Sequence, residues 1–121
     1  MADAALFVGF GPPARAREQQ ALDLFNQALA LYSELQSRGE IESFEPVLLE
    51  PHGGDLGGFI LIRGSADQLH QLRRSGDFRR ITARAGLVVE SFGVVDAYLG
   101  EGLSAQLAIY EEQMREQLAA S

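Results

Sequence analysis

Apolar and polar positions repeat along this chain with two periods, and the places where the period changes mark out the elements. Ala5 to Phe10 (ALFVGF) is a short apolar run stopped by Gly11-Pro12-Pro13, which predicts a strand and then a break. From Ala14 to Ser37 the residues Ala21, Phe25, Ala28, Leu29, Tyr32 and Leu35 recur at spacings of three and four. That is the pattern of a long amphipathic helix, and Arg38 and Gly39 supply its C-terminal charge and cap. Ile41 to Glu50 (IESFEPVLLE) alternates imperfectly. Pro46 within it cannot donate a ladder hydrogen bond, so the segment is an edge strand or carries a bulge. The glycine-rich connection Pro51 to Gly58 leads into Phe59-Ile60-Leu61-Ile62-Arg63, closed by Gly64. This strand is apolar on both faces and must be covered above and below.

Ser65 and Gln68 match a capping box, starting a short helix with Leu69 and Leu72 turned inward. Ser75-Gly76-Asp77 interrupts it, and Asp77 is placed to cap a second segment with Phe78, Ile81 and Ala85 on one side before Gly86. Leu87 to Leu99 (LVVESFGVVDAYL) is β-branched and aromatic, so it is expected to be the last and longest strand, with a bulge or close approach at Gly93. After Gly100-Glu101-Gly102, the stripe Leu103, Leu107, Tyr110, Met114 and Leu118 predicts a terminal amphipathic helix. The order β-α-β-β-α-β, with a broken second helix and an appended third, defines an α+β ferredoxin-like fold with a four-stranded antiparallel sheet. Residues 1–121 are expected to form one domain, with the ferredoxin-like core at 5–100 and the terminal helix at 101–121.

Such a sheet carries its helices on one face, yet its strands offer apolar side chains to both. A second copy, sheet to sheet, is the common cover for a bare apolar face. The element order, the helix broken at Ser75-Gly76-Asp77-Phe78-Arg79-Arg80 and the valine-rich stretch Val88 to Val95 resemble the dimeric α/β-barrel superfamily over about residues 5–100. The resemblance implies a homodimer whose sheets face each other, with a ligand cavity between sheet and helices in many members. It also implies a range of chemistries: cofactor-free oxygenases of polyketide quinones, lactone isomerases and haem-binding enzymes all share the architecture. This chain departs from many of the quinone oxygenases in having no Trp, and His70 is the only histidine on a predicted helix.

Composition removes several alternatives. With 46% apolar and 22% charged residues, the chain has the make-up of a soluble globular protein. At 13.2 kDa a compact monomer would expose roughly 6,400 Å². No cysteine is present, which excludes thiol catalysis, thiolate zinc sites, iron–sulfur clusters and disulfides. All ten basic residues are Arg, which excludes a Schiff-base or P-loop lysine. No apolar run reaches membrane-spanning length, and Met1-Ala2-Asp3 opens with an acid where a secretion signal carries positive charge. A cytoplasmic protein with no membrane partner is therefore expected. The formal charge of −7 argues against a nucleic-acid partner. Arg63 to Arg84 nevertheless holds six Arg against two Asp, while Glu34 to Glu50 holds five Glu against one Arg, so the two segments are electrostatically complementary.

Candidate chemistry centres on the loop Glu50-Pro51-His52-Gly53-Gly54-Asp55, where His52 can act as a general base oriented by Asp55. The plainer reading is a polar hairpin loop held by its glycines. In the last predicted strand, alternation separates Val88, Glu90, Phe92, Val94, Asp96 and Tyr98 from the smaller set Val89, Ser91, Gly93, Val95, Ala97 and Leu99. The smaller set suits close helix packing. The larger set is then expected on the free face with Phe59, Leu61 and Arg63. Arg63, Glu90 and Asp96 would become polar groups in or around an apolar cavity walled by Phe59, Phe92 and Tyr98, with Arg63 binding an oxyanion. Ion pairing is the plainer role for all three charges. His52 and His70 sit on separate elements without paired ligand spacing, so no metal site and no cofactor are expected. These readings lead to a homodimeric protein that binds a small apolar or carbonyl-containing ligand, with cofactor-free catalysis as its enzymatic form. The alternative is a non-catalytic interaction module that docks through its arginine-rich and terminal helices.

Overall fold

The computed structural model describes residues 3–120. The first apolar run is strand β1 (Ala4–Phe10), followed by helix α1 (Glu18–Ser37), strands β2 (Ser43–Leu48) and β3 (Gly58–Gly64), helices α2 (Ala66–Arg74) and α3 (Gly76–Val88), strand β4 (Gly93–Tyr98) and helix α4 (Gly100–Ala120). The four strands form one antiparallel sheet in the order β2-β3-β1-β4, so the fold is α+β and ferredoxin-like. The edge position of β2 accommodates Pro46, as its missing N–H requires.

The helix boundaries have local causes. Ser65 and Gln68 exchange both capping-box bonds at the start of α2. Ser75 then ends α2 and caps α3, its hydroxyl accepting from the Phe78 N–H, so the cap expected from Asp77 is supplied two residues earlier. At the end of α1, Gly39 takes φ 74°. Its N–H reaches the Gln36 carbonyl while Glu40 reaches that of Leu35, a Schellman closure that needs glycine's left-handed freedom. Helix α1 begins at Glu18 rather than Ala14, because Ala16 has φ 63° and Ala14 donates to the Val88 carbonyl instead of entering the helix.

The expected strand Leu87 to Leu99 is only half a strand. Leu87 and Val88 complete α3, and Val89 bridges to Pro13. Glu90 exchanges backbone bonds with Gly11 and Pro12, and Ser91 turns with φ 53° before β4 starts at Gly93. Tertiary pairing with the 11–14 segment overrides the β-propensity of the valines.

Register fixes the faces. Leu6 and Val8 of β1 stand opposite Ile62 and Ile60 of β3, and opposite Asp96 and Val94 of β4. Leu6, Val8, Ile60 and Ile62 join Leu24, Ala28, Tyr32, Leu35, Leu69, Leu72, Phe78 and Ile81 in one core between sheet and helices. The outer face carries Phe7, Phe59, Leu61, Arg63, Val95 and Ala97. Phe7 and Phe59 stack there with ring centroids 4.9 Å apart. The expectation that Phe92, Asp96 and Tyr98 share the outer face with Phe59 and Arg63 is therefore corrected. Asp96 and Tyr98 take the helix-side phase, Phe92 just before β4 packs against the core, and the small set Val95 and Ala97 faces outward. Because β4 lies at the sheet edge, its helix side is only partly covered and does not demand small residues.

Helix α4 does not return across its own sheet. Its first turn rests against the start of β1, where a Cβ on Gly102 would come within 2.6 Å of the Asp3 carbonyl oxygen. From Leu107 to Ala119 every side chain is exposed.

Candidate functional site

Helix α1 presents a stripe in which small residues alternate with rings: Ala21, Phe25, Ala28 and Tyr32. Against the sheet's helix side, the two alanines leave space that the rings do not fill. The result is a cavity of about 340 Å³ between α1, α3 and the sheet, at the lower end of the size range of small-molecule sites. Val8, Ile60, Ile81, Ala85 and Phe92 supply further apolar wall, and Phe10 meets Phe25 edge to face at 5.8 Å. The 11–13 turn, Leu48 and Gly57 form the end of the cavity nearest the β2–β3 connection.

Gly11 is where three backbone segments meet. A Cβ there would lie 2.6 Å from the Glu90 carbonyl oxygen and 2.8 Å from that of Asp55, so glycine is required by close approach. Gly57 donates to the Phe10 carbonyl and accepts from the Leu49 N–H, pinning the β2–β3 connection against the end of β1. Thus the loop singled out for chemistry is held beside the cavity, but His52 and Asp55 are not among the residues lining it.

Both nitrogens of the His52 ring are engaged inside its own loop. Nδ1 accepts from the Gly54 N–H at 3.2 Å, which makes Nε2 the protonated nitrogen that donates to the Leu56 carbonyl at 2.7 Å. Gly53, at φ 85°, makes the turn that allows this closure. No hydrogen bond joins the Asp55 carboxylate to the ring. Arg63 lies at the far end of β3, roughly 16 Å from Gly58 at strand rise, on the outer face. There its Nη2 pairs with Glu45 Oε1 at 3.2 Å. The structure therefore does not bring His52, Asp55 and Arg63 together. Glu90 is exposed and engaged through its backbone, Asp96 pairs with Arg73 of α2 at 3.2 Å, and Tyr98 is about half exposed. Among the residues expected to surround a ligand, Phe92 borders the cavity, while Phe59, Glu90, Asp96 and Tyr98 do not.

The residues that form the cavity were visible only as a helical stripe. Their signal was the alternation of Ala with large rings and one phenol among apolar neighbours. Tyr32 is 1% exposed, and burial pushes its phenol above the ordinary range. The unfolded chain ionises this group above about pH 10 while the folded chain keeps the proton. Its contribution to stability is therefore complete below that pH and is lost as pH rises further. In alkaline denaturant titrations the Tyr32 contribution should fall by about 1.4 kcal/mol per pH unit, and Tyr32→Phe should remove that slope. A variant with an unchanged slope would show that the phenol is solvated.

Among the described residues no group of three or more His, Asp or Glu is placed to hold a metal ion, and no helix is long and apolar enough to cross a membrane. Three of the five arginines of α2 and α3 have side-chain partners: Arg73 on Asp96, Arg80 on Asp77, and Arg84 on the Gln27 side-chain carbonyl.

No protein-family model matches the chain, and no curated protein matches it. Its fold is shared with solved structures. One is a dimeric protein of unknown function with a ferredoxin-like fold from Bacteroides fragilis, with 12% identity and a TM-score of 0.57 over 79% of this chain and 96% of that one. Another is SnoaB, a cofactor-independent oxygenase from Streptomyces nogalater, with 14% identity and a TM-score of 0.54 over 82% of this chain and 95% of that one. The likeness is one of architecture.

Proposed function

We propose that this chain is a cytoplasmic binding protein for a small apolar or carbonyl-containing ligand, held in the cavity between sheet and helices, and that it works as a homodimer. The observation that carries the binding reading is the cavity itself: about half open to solvent, walled almost wholly by apolar side chains, and large enough for a bicyclic molecule. A catalytic form, with His52 as base, Asp55 orienting it and Arg63 on an oxyanion, draws only on the likeness to a cofactor-independent oxygenase, since these residues are held apart. Binding is accordingly the function, with no reaction assigned to it.

Surface area supports the dimer. The chain exposes 8043 Å², about 1,600 Å² more than a compact monomer of its mass. That excess exceeds what one protomer contributes to a standard interface. Part of it lies on α4, where Leu103, Leu107, Tyr110 and Met114 are 45% to 62% exposed, and Val95 on the outer sheet face is 56% exposed. A second copy laid against the sheet, with α4 reaching across the pair, would cover both. One structural neighbour is described as dimeric. The acidic balance, a formal charge of −7, favours no nucleic-acid partner. Docking of α4 on a different protein is the second reading, favoured by the same exposed stripe if the chain proves monomeric.

Cavity filling tests the binding reading. Fluorescence titration with 2-ethylnaphthalene should show saturable binding to the wild type. Ala28→Leu, which pushes three carbons into the space beside Tyr32, should weaken it about ten-fold with little loss of stability, because the added volume enters a void rather than a packed core. A wild type that takes up no neutral aromatic probe would end this reading.

A further inference from the structure

Three side chains with polar groups border the cavity: Glu18, Tyr32 and Thr82. Two are committed. Glu18 is exposed, and its Oε2 accepts from the Ala16 N–H at 3.2 Å. Thr82 donates its hydroxyl to the Arg79 carbonyl at 3.2 Å. Tyr32 alone has a hydroxyl that bonds no described residue. The ring is held by the core and tilted against Phe44 at 5.9 Å, so the oxygen cannot swing out to solvent to find a partner. It is not walled in either. No fully enclosed polar side-chain atom among the described residues lacks a partner, so this oxygen keeps some accessible surface, and the cavity is the opening that Tyr32 borders. Helical side chains lean toward the N-terminus, which carries the Tyr32 ring over Ala28, another cavity residue.

Resting on the binding reading above, we infer that Tyr32 is the specificity-determining residue of the cavity: its hydroxyl donates a hydrogen bond to a neutral ligand oxygen, selecting ketone-type ligands over hydrocarbons of the same shape. A buried hydroxyl left without a partner is costly, and a site of this kind penalises a ligand that brings no acceptor. The rest of the lining sets the ligand's charge. Among the described residues no Arg or His borders the cavity, and the one carboxylate that does is that of Glu18. A carboxylate or phenolate ligand would be desolvated there without compensation. The ligand is therefore neutral, flat enough to lie between Phe25 and the sheet, and carries its acceptor at the Tyr32 end.

A matched pair of probes tests this on the 121-residue chain: 2-acetylnaphthalene, which has a ketone, and 2-ethylnaphthalene, which does not. Tyr32→Phe should weaken 2-acetylnaphthalene about ten-fold and leave 2-ethylnaphthalene unchanged or tighter. In the infrared, the carbonyl stretch of 2-acetylnaphthalene bound to wild type should lie below its position in cyclohexane, and the variant should restore it. This second readout needs only the wild type, so it decides the matter even if the variant folds poorly. Equal effects of Tyr32→Phe on both probes, or an unshifted carbonyl band in the wild-type complex, would overturn the role of Tyr32 while leaving the cavity a binding site. Failure of both probes to bind the wild type would overturn the cavity reading and this inference with it.

Discussion

Leu61→Glu is expected to leave the chain folded but monomeric. Leu61 sits on the central strand β3, opposite Phe7 on β1 and Glu45 on β2, in the middle of the outer face. With solvent on that face, a glutamate there keeps its hydration, and its cost to the monomer is under about 1 kcal/mol, mostly repulsion from Glu45. In a dimer built sheet to sheet, each copy would carry an unpaired carboxylate into the apolar centre of the interface. The desolvation penalty is several kcal/mol per ion, so the dimer dissociation constant should rise at least about a hundred-fold. Sedimentation equilibrium over a dilution series reads this directly, with thermal unfolding of the variant confirming that the monomer is intact. If the variant dimerises as tightly as the wild type, the outer face is not the interface. If the wild type is itself monomeric at high concentration, the exposed residues of α4 serve a different protein.

That prediction turns on the phase of the strands, which was legible for some elements and misleading for one. The β3 run Phe59 to Arg63 announced two apolar faces, and its phase needs only one neighbour to be fixed. The capping box at Ser65 and Gln68, the break at Ser75 and the edge position of Pro46 were all readable, because each depends on residues within a few positions of one another. Leu87 to Leu99 was not. Val88 and Val89 have every local preference of a strand, yet the chain between Pro12 and Ala14 captures Val88, Val89 and Glu90 through backbone bonds. The partner lies some 75 residues earlier in the sequence, and no local pattern carries that information. Once β4 starts only at Gly93, Phe92 turns toward the helices and Val95 toward the outside.

The candidate site was obscured for a related reason. A histidine among glycines beside an aspartate reads as chemistry, whereas the structure uses both ring nitrogens of His52 to close its loop. Tyr32 reads as one more apolar position in a helical stripe. What distinguishes it is that a ring 1% exposed borders the cavity with a hydroxyl that bonds no described residue, and that is a fact of packing which spacing along α1 does not contain. Absent cysteine and lysine removed whole chemistries from consideration, but pointed to no place in the molecule.

Ile62→Ala should be the most destabilising single truncation in the sheet, although its neighbour Leu61 is expected to tolerate even a charge. Ile62 has no exposed surface, stands opposite Leu6, also fully buried, and belongs to the core under α1 and α2. Removing three carbons there forfeits their transfer free energy and leaves a void that the rigid sheet cannot close, about 3 kcal/mol in all. For a domain with a stability of roughly 5–15 kcal/mol, that is a large share. The thermal midpoint should drop by roughly 10–18 °C. Because dimerisation would add a concentration-dependent term, the comparison belongs in the Leu61→Glu background, where Ile62→Ala is judged on the monomer alone. Ile62 does not border the cavity, so 2-ethylnaphthalene affinity below the midpoint should stay within about two-fold of the parent. A loss of stability under 1 kcal/mol would mean that β3 turns its other face to the helices. The outer face, the dimer and the helix-side cavity would then all have to be reassigned together, since one register sets all three.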